Sequence, residues 1–306
     1  MKNKPTDGTL AAGILFAILL WGGNNAATKY LVQFWPPVFA GCTRFLFASI
    51  IMFAMFRYTE IFGVTHPLSR ELKKDLWIHG AVNLALYILT FNLALTYTTA
   101  SHVALYLGTA PIWALLWEGK PDKSWVSVRR YLGAAVEFIG VIVLFLPALK
   151  KGSSTNVSGE LLALTSSILW TNYGRQCRKF TGRLSGAEIS AHTFWRAAIL
   201  VFPYVMYEIV KRPPLFTTKL VLIQVYCTVA SGIVAFALWN NALKYWTTSK
   251  VYLFNNLIPL STMLWAYIFL KEQLTTTFWI SMVMIIAGVL LAQLSFKTAL
   301  PRNEPA

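Results

Sequence analysis

The sequence predicts an all-α integral membrane protein in which ten transmembrane helices form two inverted five-helix repeats around a central cavity. Three observations predict this fold: the scarcity of charge, the length of the apolar segments, and a repeat within the chain. Of the 306 residues, 56% are hydrophobic and only 13% are charged, whereas a soluble domain has about a quarter of its residues charged. A chain of this composition is expected to fold in a lipid bilayer.

Ten apolar segments are long enough to cross a bilayer, which takes about 20 residues of helix. In chain order they cover residues 10–28, 37–57, 76–97, 101–118, 126–148, 157–176, 187–209, 218–243, 250–270 and 276–296. The first segment continues through Trp21 and Asn24 without a small-residue cleavage pattern. It is therefore predicted to be a retained span rather than a signal peptide.

The orientation of the spans follows from the distribution of Lys and Arg, which accumulate on the cytoplasmic side of a membrane. If the N-terminus is cytoplasmic, 18 of the 27 basic residues fall in cytoplasmic segments and seven in outer loops. The remaining two, Arg44 and Arg196, lie inside spans. Both termini are therefore predicted to be cytoplasmic, in a multi-pass protein of a bacterial inner membrane.

The two halves of the chain are similar to each other at an offset of 148 residues, where 11 of 27 positions between Phe91 and Trp117 match without a gap. The matched pairs include Asn92 with Asn240, Tyr97 with Tyr245, Pro111 with Pro259, and Trp117 with Trp265. Shared hydrophobicity does not explain matches of these residue types. We therefore divide the chain into a first repeat, residues 10–149, and a second, residues 157–297.

Five spans per repeat is an odd number, so the second repeat must cross the membrane in the opposite direction to the first. Inverted repeats of this kind are the plan by which many secondary transporters expose one midplane site to each side of the membrane in turn. The internal repeat therefore predicts that the protein is a carrier.

Several motifs of the chain resemble the EamA branch of the drug/metabolite transporter superfamily. They are Trp21-Gly22, Arg44-Phe45-Leu46, Pro111, Pro259, Trp239-Asn240-x-Ala242-Leu243 and Leu270-Lys271-Glu272. The resemblance covers residues 10–296. It implies a ten-span carrier in which spans five and ten are peripheral, and an exporter of an amino acid or a related zwitterionic or anionic metabolite. An alternative within the superfamily is an exporter of organic cations or of lipid carriers.

Polar and aromatic residues near the predicted membrane centre are candidates for the substrate path. Trp21 and Trp170 lie about 17 to 20 Å deep at 1.5 Å per residue, and the other candidates are Asn24, Asn25, Asn83, Tyr87, Tyr106, Trp113, Asn172, Tyr173, Trp239, Asn255 and Asn256. An unpaired amide in hydrocarbon costs several kcal/mol, so these side chains are expected to face protein or water. Interhelical hydrogen bonding and plain packing are the alternatives for each of them.

The two arginines inside spans must be compensated, because each charge near a helix centre costs about 2.5 to 3.5 kcal/mol on insertion scales. Arg44 lies near the outer end of its span and can extend its side chain toward the surface. Arg196 lies deeper, and we predict that it binds a substrate carboxylate. The alternatives for Arg196 are a structural tie to backbone carbonyls and an ion pair with Glu137.

Three acidic or titratable residues are candidates for proton coupling. Glu188 and His192 step by four toward Arg196 and form one polar stripe of a helix, although Glu188 at a helix start also favours the helix dipole. Glu137, in the middle of span five, is a proton site, an arginine partner or a neutral acid between protomers. Pro111 and Pro259 are predicted to kink their helices, with a gating role or a role in shape alone.

The remaining composition narrows the function. Cys42, Cys177 and Cys227 have no metal-ligand spacing, so no metal or cofactor is predicted. Nucleic-acid binding is not predicted either, because the basic residues alternate with spans. The three aspartates lie outside the spans, which argues against an intramembrane enzyme. The expected partners are a small-molecule substrate and membrane lipid, for a monomer or a weak homo-oligomer.

Overall fold

The computed structural model describes residues 5–59, 62–63, 65–117, 125–151, 154–180, 182–246, 251 and 254–294, and these residues contain helices and no strand. They form ten helical segments: α1 (Asp7–Leu31), α2 (Pro37–Tyr58), α3 (Arg70–Tyr97), α4 (100–117), α5 (Trp125–Lys151), α6 (Ser154–Cys177), α7 (Gly186–Lys211), α8 (218–245), α9 (Phe254–Leu270) and α10 (Thr276–Leu294). Each corresponds to one predicted apolar segment.

Five of these helices are long and apolar enough to cross a membrane in the described part of the chain: α1, α2, α3, α7 and residues Thr218–Trp239 of α8. Shorter apolar helices occur in α9 and α10. The prediction of an all-helical membrane protein with several spans is therefore confirmed, and the full number of ten spans stays a prediction.

Side-chain caps fix where several helices begin. The hydroxyl oxygens of Ser69, Thr99 and Thr217 each accept a hydrogen bond from a backbone N–H in the first turn of α3, α4 and α8. At the start of α7, Ser185 and Glu188 cap each other's backbone reciprocally. Each cap satisfies an N–H that has no partner within the helix.

The long helices are interrupted at related places in the two halves. Helix α3 contains a π-helical stretch, Leu76–Ala81, and α8 contains another, Tyr226–Val234. Helix α4 breaks at Thr109 and resumes at Ala110, and α9 changes from a 3₁₀ turn to an α-helix at Ile258. Pro111 and Pro259 are each the second residue of the resumed helix, where a missing N–H is tolerated. A gating role for these interruptions stays a prediction.

The helices pack in pairs that are related by the internal repeat. The extensive contacts between the two halves join α5 to α10, α2 to α7, α3 to α6, α3 to α7, α1 to α8, α1 to α9, α2 to α8, α4 to α6 and α4 to α9. Replacing each helix by its counterpart five helices away returns the same set of pairs. The contact between α3 and α6, for example, becomes the contact between α8 and α1.

One end of the bundle, which we call the α1–α2 end, contains residues 32–36 between α1 and α2. There Lys29 Nζ of α1 donates to the carbonyl of Thr98 at 2.8 Å, and the Thr98 hydroxyl donates to Glu160 Oε1 of α6 at 2.5 Å. Glu208 Oε2, near the end of α7, accepts from the backbone N–H of Val38 at 2.9 Å. Helix α1 thus ends where α6 begins, and α2 begins where α7 ends.

The opposite end contains the start of α1. Trp246 Nε1, just after α8, donates to Asp7 Oδ1 at 2.9 Å, and the backbone N–H of His66 donates to Glu188 Oε1 at the start of α7. Helices α1 and α7 therefore begin at the same end, and α8 ends there.

Helices α5 and α10 approach each other closely at two glycines. A Cβ atom added to Gly288 would lie 2.5 Å from the carbonyl oxygen of Gly133 and 2.7 Å from the backbone nitrogen of Glu137. One added to Gly140 would lie 2.9 Å from a side-chain carbon of Ile285. Small residues of this kind let helix backbones pack at short range in a membrane.

Replacing Gly288 by Ala is expected to destabilise the protein by about 1 to 3 kcal/mol, since the new methyl group would overlap the backbone of α5. The matched control is Gly174→Ala, where no atom lies within 4 Å of the added Cβ. Thermal unfolding of the purified protein in one detergent compares the two. Equal stability of the two variants would contradict the close approach of α5 and α10.

Candidate functional site

Trp21 of α1 lies against α8 and joins the two halves of the chain. Its Nε1 donates to the backbone carbonyl of Ser231 at 3.1 Å. Its ring centroid lies 5.2 Å from the rings of both Phe236 and Trp239. The predicted candidates Trp21 and Trp239 are thus in contact, in an aromatic cluster at the α1–α8 contact.

A second aromatic cluster occupies the related contact between α6 and α3. The ring of Trp170 lies 5.0 Å from that of Tyr87 and 5.6 Å from that of Tyr173. Tyr87 also stacks on Phe91 at 5.3 Å, and the Tyr173 hydroxyl hydrogen-bonds to Thr193 Oγ1 at 2.8 Å. The counterpart tryptophans Trp21 and Trp170 therefore each pack on a helix of the other half.

The asparagine side chains form some of the contacts between the halves. Asn25 Nδ2 donates to Thr262 Oγ1 of α9 at 3.0 Å, and Asn172 Nδ2 donates to Asn83 Oδ1 at 2.6 Å. Asn24 is buried, and its Oδ1 has no hydrogen-bond partner among the described residues. An unsatisfied acceptor in the core is a position that a ligand can use.

The candidates Asn255 and Asn256 lie in the 3₁₀ turn that begins α9, where Asn255 is half-buried and Asn256 is buried. Trp113 Nε1 of α4 donates to Ser167 Oγ of α6 at 3.1 Å. Tyr106 is fully buried in α4, and its hydroxyl has no hydrogen-bond partner in the described part of the chain. These side chains line the contacts of α4 and α9 with their neighbours.

Arg196 is held by its own helix. Its Nη1 donates to the backbone carbonyl of His192 at 2.7 Å, and its guanidinium lies 4.3 Å from the ring of Trp195 and 5.6 Å from that of Trp77. A cation over an indole face is partly compensated by the ring electrons. This geometry corresponds to the structural tie named as an alternative, and the described ion pairs do not join Arg196 to Glu137.

Glu188 at the start of α7 is engaged as a cap. Its Oε2 accepts from the backbone N–H of Ser185 at 2.8 Å, and His66 donates a backbone N–H to its Oε1 at 2.5 Å. His192 Nδ1 lies 3.3 Å from Arg196 Nη1, and its ring lies 4.9 Å from that of Phe53. His192 is thus in contact with Arg196, whereas the carboxylate of Glu188 is bonded to Ser185 and His66. Proton coupling along this helix face stays a prediction.

Glu137 is 1% exposed and packs against α10 at Gly288. Its Oε1 has no hydrogen-bond partner among the described residues. Because the helix that covers Glu137 belongs to the same chain, this contact does not require a second protomer.

The position of Arg44 near the end of its span predicts a side chain that extends toward the membrane surface, but in the structure this side chain is buried. Its Nη2 donates to Ser231 Oγ at 3.1 Å, on the residue whose carbonyl accepts from Trp21. The signal that points to Arg44 is its correspondence with Arg196 in the repeat. Three acidic side chains at the α1–α2 end, Glu160, Glu208 and Glu272, were missed as well.

Two similar halves with polar and aromatic contacts between them are typical of a membrane transporter, and the comparisons with known proteins indicate a transporter rather than an enzyme. The chain belongs to the EamA-like transporter family, which it matches over residues 9–146 and again over residues 157–294. The two matches confirm the resemblance, and they fit an architecture of two similar halves.

Relatives of this chain include named and unnamed transporters. An uncharacterized transporter of Archaeoglobus fulgidus is 26% identical over 91% of this chain and 95% of its own length. The aromatic amino acid exporter YddG of Escherichia coli is 21% identical over 92% of this chain and 96% of its own length. A crystal structure of a protein with 19% identity superposes with a TM-score of 0.61, covering 94% of this chain and 98% of that chain, and shows the same fold.

The hydrogen bond between Asn83 and Asn172 is expected to contribute about 0.6 kcal/mol, the average for such bonds between membrane helices. A double-mutant cycle of Asn83→Ala and Asn172→Ala, read by unfolding in detergent, measures this coupling. In a control cycle, Asn83→Ala is combined with Asn241→Ala, whose exposed side chain should give additive effects. Additivity in the first cycle would show that the two amides do not stabilise each other.

Proposed function

We propose that the protein is a secondary transporter that exports a small metabolite, an amino acid or a related zwitterionic or anionic compound, by alternating access. The observation that carries this proposal is the pair of aromatic clusters, Trp21 with Trp239 and Trp170 with Tyr87, each formed by a helix of one half on a helix of the other. A solute held between such rings contacts both halves, so relative motion of the halves would move its surroundings. The relative named as an aromatic amino acid exporter supports this substrate class.

Ten spans arranged as two inverted repeats are part of the proposal. The set of extensive helix contacts between the halves is unchanged when each helix is replaced by its counterpart, as expected for two similar halves around a two-fold axis. Helix α1 ends where α6 begins, and α2 begins where α7 ends. These contacts support opposite directions for corresponding helices, which an inverted repeat requires.

The proposed location is a bacterial inner membrane with both termini in the cytoplasm. The segments that carry most of the Lys and Arg residues lie on the side of the N-terminus, and cytoplasmic loops are rich in these residues. On this orientation the α1–α2 end faces outward. The proposed partners remain a small-molecule substrate and membrane lipid, for a monomer or a weak homo-oligomer.

The contacts at the α1–α2 end support a state that is closed on this side. Glu208 of the second half accepts from the start of α2, and Glu272 accepts from the backbone N–H of Ala100 at 2.8 Å at the start of α4. Glu160 of α6 accepts from Thr98. Each contact joins the two halves, and alternating access requires that such contacts break and re-form.

An exporter of organic cations or of lipid carriers is the second candidate considered from the sequence. A cation exporter needs an acidic side chain in its path, and Glu137 was the acid that supported it. Glu137 instead packs between α5 and α10 at Gly288. The buried arginines oppose a cationic substrate, so the zwitterionic or anionic class is favoured.

Counterflow of radiolabelled amino acids into liposomes that contain the purified protein is expected to be saturable and to fall at least tenfold in Trp21→Ala. The substitution removes both the ring contacts and the hydrogen bond to Ser231. Trp125→Ala is the matched control, because Trp125 is 70% exposed. If wild-type protein exchanges no member of an amino-acid panel, the proposed substrate class is wrong.

A disulfide across the α1–α2 end is expected to stop transport. The backbone nitrogen of Leu215 lies 3.5 Å from the carbonyl oxygen of Phe34, so the two chain segments run side by side, and a disulfide needs Cα atoms about 4.4 to 6.8 Å apart. In a variant whose three native cysteines are alanine, Phe34→Cys with Leu215→Cys should lose counterflow on oxidation and regain it on reduction. Each single-cysteine variant serves as a control, and full activity of the oxidised pair would argue against opening at this end.

A further inference from the structure

We propose that Arg44 binds the carboxylate of the transported solute, in a site that α2, α3 and α8 form together. This inference rests on the proposed function, and it names the substrate class as aromatic carboxylates and the residue that anchors them. The site differs from the position first predicted for carboxylate binding, which was Arg196.

The Arg44 side chain is buried, with only 9% of the residue exposed, and it lies across the contact between the two halves. Its Nη2 donates to Ser231 Oγ of α8 at 3.1 Å, and its guanidinium lies 5.0 Å from the ring of Phe45. Its Nε is buried and has no hydrogen-bond partner among the described residues. A guanidinium has five N–H donors, so most of its capacity is open to a ligand.

The charge of Arg44 also has no counterion in the described part of the chain. The ion pairs found there join His66 to Glu188 and His102 to Glu160, and none involves Arg44. A buried, uncompensated arginine is costly in a membrane and marks a functional site by default. A carboxylate is the anion that fits the planar fork of a guanidinium with two parallel hydrogen bonds.

The surroundings of Arg44 suit an aromatic group attached to that carboxylate. The phenols of Tyr87 and Tyr226 are near enough to interact electrostatically with the guanidinium. The ring of Tyr87 contacts that of Trp170, and the Trp21 indole donates a hydrogen bond to the backbone carbonyl of Ser231. Each aromatic cluster thus contacts a residue that itself lies beside Arg44, and such rings favour offset or edge contacts with another ring.

Arg196, its counterpart in the repeat, is differently engaged. Its Nη1 donates to the His192 carbonyl of its own helix, and the indoles of Trp195 and Trp77 flank its guanidinium. Its Nε also lacks a partner, but tryptophan compensates a cation better than the phenylalanine beside Arg44 does. The positive charge of Arg44 is therefore less compensated by the protein than that of Arg196, and a bound anion would stabilise Arg44 more.

The test uses pairs of probes that differ in the carboxylate alone. Purified protein in detergent is titrated with L-phenylalanine, L-phenylalaninamide, 3-phenylpropionate and 3-phenylpropionamide, and binding is read by thermal shift. Wild-type protein should bind each carboxylate at least tenfold more tightly than its amide. Arg44→Gln should remove this difference, and Arg44→Lys, which keeps the charge but not the fork, should leave part of it.

Two further variants make the comparison decisive. Arg57→Gln, at the end of α2, should behave as wild type, and Arg196→Gln tests the competing position. Loss of the carboxylate preference in Arg196→Gln with its retention in Arg44→Gln would overturn the proposal, as would absence of binding of either carboxylate to wild-type protein. If Arg44→Gln does not fold, Arg44→Lys decides instead: a preference smaller than that of wild-type protein supports the Arg44 site, and an undiminished preference contradicts it.

Counterflow separates this inference from the proposed function. If phenylalanine exchanges and Arg44→Gln keeps its carboxylate preference, the transporter proposal stands and the Arg44 site is wrong. If no amino acid exchanges but 3-phenylpropionate binds in an Arg44-dependent way, the carboxylate site stands and the amino-acid assignment fails.

Discussion

A polar group inside a bilayer must find its partner within the protein, and the arrangement of the two halves depends on this constraint. Asn25 reaches Thr262 on α9, Asn172 reaches Asn83 on α3, and the Trp21 indole reaches a backbone carbonyl of α8. Each of these bonds joins the first half to the second. Polar side chains therefore act as the specific contacts of an interface whose apolar residues would pack equally well against lipid.

The acidic residues follow the same constraint by a different route. Glu208 and Glu272 accept backbone N–H groups at the first turns of α2 and α4, helices that belong to the other half, and Glu188 does so at the start of its own helix. A carboxylate at a helix N-terminus satisfies unpaired donors and faces the positive end of the helix dipole. Because these caps lie near the ends of the bundle, water can replace them when the halves separate. Contacts of this kind can hold a closed end without making closure permanent.

Sequence reasoning reached the helices, the two repeats and the family, because apolar length and repeated residues are properties of the chain itself. It also included Trp21, Trp239, Tyr87 and Trp170 among the candidate residues of the substrate path. It did not predict which groups each polar side chain contacts in the folded protein. Helical numbering places Glu188 and Arg196 on one face, but only the tertiary structure shows that Glu188 meets the backbone of His66. Likewise, depth in a span made Arg196 look less compensated than Arg44, since the indole of Trp77 comes from a distant helix.

The π-helical stretches connect the local structure of the helices to the arginines. The stretch Tyr226–Val234 of α8 contains Ser231, which Arg44 contacts, and the stretch Leu76–Ala81 of α3 contains Trp77, which lies over Arg196. Such stretches shift the backbone hydrogen-bond pattern and are frequent at functional sites. In α8 the shifted backbone presents the Ser231 carbonyl to Trp21 beside the Arg44 guanidinium. In α3 the π-helical stretch instead contains the Trp77 indole, which lies 5.6 Å from the Arg196 guanidinium. The two arginines that correspond in the repeat therefore have different surroundings, because two indoles flank Arg196 whereas a serine hydroxyl and a phenylalanine ring contact Arg44.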